Sequence, residues 1–174
     1  RLFVIDSGPY NDEPIQLLNV RSEGPLWFPD GTKFLFLYNN QSTGTLKLDG
    51  TDLIIHPDKG QTWGYNLSPD GNLITLWNNR YDIYKINPDG TNLTQLSPND
   101  DYSYSHSEFS PDGSKIVFSK RGDLYVSGQT DYEIWTMDIN GENLTRLTSP
   151  DPGIKISNPK WSPNGNEISF IKDR

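Results

Sequence analysis

Cysteine is absent from the 174 residues, and the chain has only one methionine and two histidines. Without cysteine there is no disulfide framework, no thiolate nucleophile and no cysteine-based zinc site. His56 and His106 stand in separate parts of the chain, neither with a second His at ligand spacing, so no metal site is expected. Long apolar runs are missing too. No stretch reaches 18 consecutive apolar residues, roughly the least that a membrane-spanning helix needs. Positive charge is scarce, with 15 Lys and Arg against 23 Asp and Glu, a net charge of −8. A field of that sign repels phosphate backbones, so nucleic acid is not an expected partner. Neither a Gly-x-Ser-x-Gly elbow nor a Gly-rich phosphate loop occurs, so no catalytic residue and no cofactor are expected. The chain opens on Arg1 with no signal-like segment, which fits a mature form or an excised domain and leaves targeting unread.

What the chain does have is turn formers and aromatics. It carries 15 Gly, 13 Pro, five Trp and nine Tyr, a composition suited to short strands and hairpins rather than long helices. The stretch FSPDGSKIVFS, starting at Phe109, recurs as WFPDGTKFLFL from Trp27, LSPDGNLITLW from Leu67 and WSPNGNEISFI from Trp161. Four copies point to architecture before chemistry, so Ser-Pro-Asp-Gly reads as a hairpin turn rather than a metal loop. Pro presets φ near −65°, Asp tolerates the next position and Gly supplies the positive-φ exit.

Aligned on Phe28, Ser68, Ser110 and Ser162, the copies step by 40, 42 and 52 residues. A second turn follows at KLDGTDL, NPDGTNL and DINGENL. The third repeat is longer by an insertion within Lys120–Glu133 that adds Arg121, Asp123 and Tyr125. Each unit predicts four strands. Strand A ends at Trp27, Leu67, Phe109 or Trp161, which are expected to be buried between units. Strand B alternates, with Phe34 and Phe36, Ile74 and Leu76, Ile116 and Phe118, and Ile168 and Phe170 expected to pack. Strand C carries Tyr84 and Ile86, or Trp135 and Met137, and strand D is NLTQL or NLTRL.

A repeated four-stranded antiparallel unit of about 40 residues predicts an all-β propeller. Gly8 falls in phase with Gly90 and Ser162 with Ser68, so the chain opens as strands C and D and stops after A and B. Four blades are therefore expected in one domain spanning 1–174, at about 25–58, 64–98, 106–149, and 159–174 plus 1–18. In the last of these, Leu2–Asp6 and Glu167–Lys172 are expected to share the closing blade.

These repeats resemble those of the TolB-like β-propellers, a WD-like repeat family whose relatives include the propeller domains of prolyl-oligopeptidase-type and tricorn-type peptidases. The resemblance implies the propeller fold and a periplasmic or extracellular location. It implies no single function, because the scaffold hosts many.

Function is expected where the repeats differ. The A–B and C–D turns are uniform, whereas the B–C and D–A connections vary on the opposite face, and variable loops on a rigid scaffold are where binding usually sits. Trp63, Tyr65, Asp100, Asp101, Tyr102, Tyr104 and His106 fall there. Amphipathic aromatics beside carboxylates suit a protein or peptide partner of basic character, or a sugar. The expectation is a non-enzymatic binding or scaffold domain. The alternatives are a carbohydrate-binding propeller and an accessory propeller of a peptidase or polysaccharide lyase. The Asn-x-Ser/Thr sequons at Asn66, Asn92 and Asn143 are better explained by the repeat than by glycosylation, and DINGEN at Asp138 reads as a turn rather than a calcium loop.

Overall fold

The structure, a computed structural model, describes residues 1–5, 13–57, 59–122, 132–149 and 154–173. Among them every regular element is a β-strand. A short hairpin of β1 (Leu2–Val4) and β2 (Ile15–Leu18) comes first. Three antiparallel four-stranded sheets follow. They are β3 (Ser22–Trp27) to β6 (Ile54–Ile55), β7 (Thr62–Leu67) to β10 (Thr94–Gln95), and β11 (Ser103–Phe109) to β14 (Thr145–Arg146). Between these ends lie β4 (Lys33–Tyr38) and β5 (Ser42–Lys47), β8 (Ile74–Asn78) and β9 (Ile83–Ile86), and β12 (Lys115–Arg121) and β13 (Tyr132–Asp138). A last hairpin joins β15 (Lys155–Trp161) and β16 (Ile168–Asp173). Within each four-stranded sheet neighbours in sequence are neighbours in space, and the outer strand is only two residues long, which blunts the sheet edge against further pairing.

The turn chemistry is visible bond by bond. The Gly113 N–H donates to the Ser110 carbonyl at 2.8 Å, and Gly113 has φ +72°, a value that a side chain would strain. The Ser110 hydroxyl donates to Asp112 at 2.6 Å and accepts the Lys115 N–H at 2.9 Å, while Asp112 accepts the Ser114 N–H at 3.0 Å. Ser68 and Ser162 repeat the pattern with Asp70 and Asn164. These hydrogen bonds, that from the Ser110 hydroxyl foremost, pull the Asp112 carboxyl down to about 2. At the second turn Asp52, Asn92 and Asn143 all have positive φ. That explains why Asp or Asn recurs two residues after the Gly.

The core lies between successive sheets. Phe28 and Leu35 of the first sheet meet Ile74, Leu76, Tyr84 and Ile86 of the second. Ile83 and Leu96 of the second meet Tyr104, Phe109, Ile116, Phe118 and Met137. Because each sheet is covered on both faces, the B strands are buried on both faces too: Phe34, Leu35 and Phe36 are all in the core, as are Ile116, Val117 and Phe118.

Three expectations are corrected. Of the four residues expected between blades, only Phe109 is buried. Leu67 and Trp161 are half-buried and Trp27 is 53% exposed, tilted over Phe34 at 4.1 Å. The next residue turns inward instead, since Phe28, Ser68 and Ser110 are buried. Second, among the described residues no pairing joins the terminal strands into one sheet: β1–β2 and β15–β16 are separate two-stranded sheets. Each is held by its neighbouring whole sheet, Leu2 against Phe34, Phe36 and Leu46, and Ile156 against Val117 and Ile134. Asp6 of the expected pairing, and Asp123 and Tyr125 of the insertion, lie outside the described residues. Third, Ile168 is only half-buried and Phe170 is 41% exposed, because among the described residues β16 has no third strand beside it.

The packing separates two aromatics. Phe36→Ala should cost about 3–5 kcal/mol as a core truncation, whereas Trp27→Ala should cost under about 1 kcal/mol as a mostly exposed one. Chemical denaturation of both variants tests this. Equal losses would place the core elsewhere.

Candidate functional site

Four of the seven expected site residues stand on strands rather than loops. Trp63 and Tyr65 belong to β7, and Tyr104 and His106 to β11, the first strands of their sheets. Only Asp100, Asp101 and Tyr102 precede β11. Strand β11 lies against both β7 and β15, and the expected residues fall into three groups, two of them along the seam between β7 and β11.

The first group is an aromatic row. Trp63 packs edge-on to Tyr81 at 5.3 Å and to Trp77 at 6.0 Å, and Trp77 lies 4.9 Å from the His106 ring. Gly64 makes room for it, since a Cβ there would stand 2.2 Å from Trp77 Nε1. His106 holds φ +54° at a bulge between Ser105 and Glu108. The equivalent bulges carry Gly24 and Asn158 at φ +59° and +52°, the residue types that tolerate that conformation. Ser105 Oγ lies 2.9 Å from His106 Nδ1. Burial first, then Lys155 and Lys160, lower the imidazole pKa. Beside it Glu108 reaches Lys160 across the seam at 3.3 Å, and burial raises its carboxyl pKa.

The second group surrounds Lys120. Its ammonium stands 3.9 Å from the centre of Tyr102, 4.8 Å from Trp135 and 5.5 Å from Tyr104. Tyr104 is not an exposed anchor as expected. It is 1% exposed and part of the core, and its hydroxyl donates to the Asp100 carboxylate at 2.8 Å. Burial and that carboxylate push its pKa up. Asp100 also accepts the Tyr102 N–H at 3.2 Å, and Asp101 is exposed. The two groups touch where the Tyr104 N–H donates to the Tyr81 carbonyl at 2.7 Å.

Tyr65 lies apart from both. Its hydroxyl donates into the Glu23 and Gly24 carbonyls of β3, 2.9 Å from the former, and burial raises its pKa to about 12. It ties the second sheet to the first. Sequence reasoning missed Trp77, Lys120 and Trp135, because their strands B and C were read only as core. It also missed a polar cavity of about 400 Å³ beside the first B–C turn, lined by Arg21, Asn39, Asn40, Gln41, Gly60 and Gln61.

His56 is a further seam. It is buried, with Nδ1 2.8 Å from Thr43 Oγ1 and Nε2 3.1 Å from the Pro88 carbonyl of the second sheet. Burial, its first cause, lowers its pKa below 6.5.

The repeated antiparallel sheets, packed face to face with β11 against both β7 and β15, define a β-propeller-type repeat domain. No family model matches the chain. The Tol-Pal system protein TolB of Albidiferax ferrireducens is 38% identical over 60 residues, 34% of this chain. A tricorn-like protease C-terminal subunit of Sulfurisphaera tokodaii is 25% identical over 146 residues, 84% of this chain. The chain spans 13% and 16% of the length of those two relatives. Among solved structures, TolB from Agrobacterium tumefaciens superposes with a TM-score of 0.69 at 23% identity, over 92% of this chain and 62% of that one. TolB from Acinetobacter baumannii gives 0.63 at 18% identity, over 91% and 40%. The tricorn protease gives 0.68 at 12%, over 82% and 14%. The fold is therefore that of the TolB-like β-propellers.

The two histidines set a pH dependence. Both have folded pKa values below the unfolded 6.5, so the unfolded chain binds more protons and stability falls as pH drops below about 6.5. The turn aspartates act lower, from about 4 towards the Asp112 value of about 2. Melting temperatures between pH 8 and 5 should fall on the acid side, and His56→Gln should flatten that slope. A melting temperature independent of pH from 7.5 to 5.5 would refute it.

Proposed function

We propose that the chain is a non-enzymatic β-propeller-type domain that binds a protein or peptide through the rim formed by its B–C turns and D–A connections. The observation that carries this reading is the pair of exposed aromatics on that rim. Trp63 is 46% and Tyr102 45% exposed, and both are fixed by packing against Tyr81, Trp77 and Lys120. Rigid, half-exposed aromatics lose little entropy on binding and are typical anchors. Asp101 and the −8 charge of the chain favour a basic partner and speed its approach. The likeness to TolB, a protein of the Tol-Pal system, supports an interaction role, and the resemblance to that family supports a periplasmic or secreted setting. The likeness to the tricorn protease is one of fold alone.

An array of basic, neutral and acidic synthetic peptides tests this, followed by titration of the strongest binder. Basic peptides should dominate, and binding should weaken from low to physiological salt. Trp63→Ala and Tyr102→Ala should each weaken Kd about tenfold, or about 1.4 kcal/mol, with melting temperatures within a few degrees of the parent. Unchanged affinity in both variants would move the binding surface elsewhere.

A further inference from the structure

The cation held by Tyr102, Tyr104 and Trp135 belongs to the chain itself. Lys120 is placed there by the sheet: it is the cross-strand partner of Tyr104 on β11 and of Glu133 on β13, and side chains opposite one another in a sheet share a face. Trp135, two residues beyond Glu133, stands on the same face, and Tyr102 closes the outer side, exposed to solvent. Three ring faces thus converge on one ammonium at 3.9, 4.8 and 5.5 Å, within the range at which a ring quadrupole attracts a cation. The walls are braced by carboxylates. Glu133 accepts the Trp135 indole N–H at 2.6 Å and Asp100 accepts the Tyr104 hydroxyl. Both carboxylates add negative potential behind the rings. Arg146, 3.4 Å from Glu133, engages the other oxygen of that carboxylate.

We propose that this cage is a receptor for an alkylammonium group, the lysine side chain of a basic peptide, and that Lys120 is its internal stand-in, which must leave before the partner's cation enters. Two features favour replacement over a purely structural role. The cage opens to solvent through Tyr102, on the rim proposed to bind peptide. The long, flexible lysine stem can withdraw its head group into water without breaking a backbone bond. An internal occupant raises the threshold for entry, so a partner succeeds only if it offers a better-held cation or an acidic group that draws Lys120 away. This refines the peptide-binding reading above. The test uses a bare cation and no peptide, so its failure removes the cage while the peptide measurements stand separately.

The probe is tetramethylammonium chloride, with sodium chloride at equal ionic strength as control. In the parent chain the Lys120 ε-methylene protons should be shifted upfield by the rings and should move towards solvent values as the probe is added. Lys120→Ala should bind the probe at least tenfold more tightly, and adding Tyr102→Ala should reverse the gain. Lys120→Met, which refills the cage without charge, should bind no better than the parent. A Lys120→Ala variant with a parent-like melting temperature and no gain in affinity would overturn the proposal. If Lys120→Ala does not fold, the parent titration decides: Lys120 signals that stay fixed while the probe saturates would overturn it as well.

Discussion

A sheet of four short strands has two faces, and neither can be left to water without losing most of the apolar burial that orders the strands. Every whole sheet here meets that constraint by packing on the sheets before and after it. Its consequences reach to the side chain. Strand β4 places Phe34 and Phe36 against the N-terminal hairpin and Leu35 against the second sheet, so its KFLFL run is continuous rather than alternating. Strand β16 has a comparable apolar content but, among the described residues, pairs only with β15, and Phe170 and Ile171 are exposed. Similar residues at equivalent repeat positions are core or surface according to what lies across from them.

The spacing between sheets is also set by the turns. A Cβ on Gly71 would come within 3.0 Å of Pro29, and the equivalents on Gly113 and Gly165 would lie 3.8 and 3.7 Å from Pro69 and Pro111. Each of the last three turns therefore sits on the proline of the turn before it. The internal Ser and Asp bonds keep each turn rigid, so the sheets are registered at one end by backbone and at the middle by apolar side chains. The other end, with the variable connections, is fastened by backbone too, the Thr62 N–H donating to the Gln41 carbonyl and the Tyr104 N–H to the Tyr81 carbonyl, both at 2.7 Å. His56 reaches the Pro88 carbonyl and Tyr65 reaches the carbonyls of β3.

Much of this architecture was legible in the sequence because it repeats. The turn, the strand order and the packing pairs on strand B follow from motifs that occur three or four times. The failures share a physical origin. Shared repeat position points Trp27 and Trp161 to the core, but strand A is bulged, at Gly24, His106 and Asn158 in three repeats and one position earlier, at Trp63, in the second. The bulge breaks the two-residue period on which inward and outward were assigned. The turn formers of SPNDDYSYSH predict a loop at Tyr104, yet its last four residues start an ordered strand. Lys120 and Trp135 could not be joined from sequence, since their meeting depends on the register between β11, β12 and β13.

His106 marks where repeat logic and local chemistry diverge. At the same bulge the first repeat has Gly and the last has Asn, residues that adopt positive φ with little strain. A histidine there costs conformational energy, of the order of 1 kcal/mol, and nothing in the bulge itself requires an imidazole. What the ring does instead is extend the aromatic row from Trp77 towards the polar seam of Glu108 and Lys160. The second and third sheets thus carry, at one junction, an exposed Trp, an indole made possible by Gly64, a strained His and a caged Lys, whereas the first seam has Tyr65 and His56 fully engaged in hydrogen bonds. A scaffold of near-identical units becomes asymmetric by substituting at positions the fold can tolerate but does not prefer, and that asymmetry singles out the junction of the second and third sheets as the part of the rim least explained by folding.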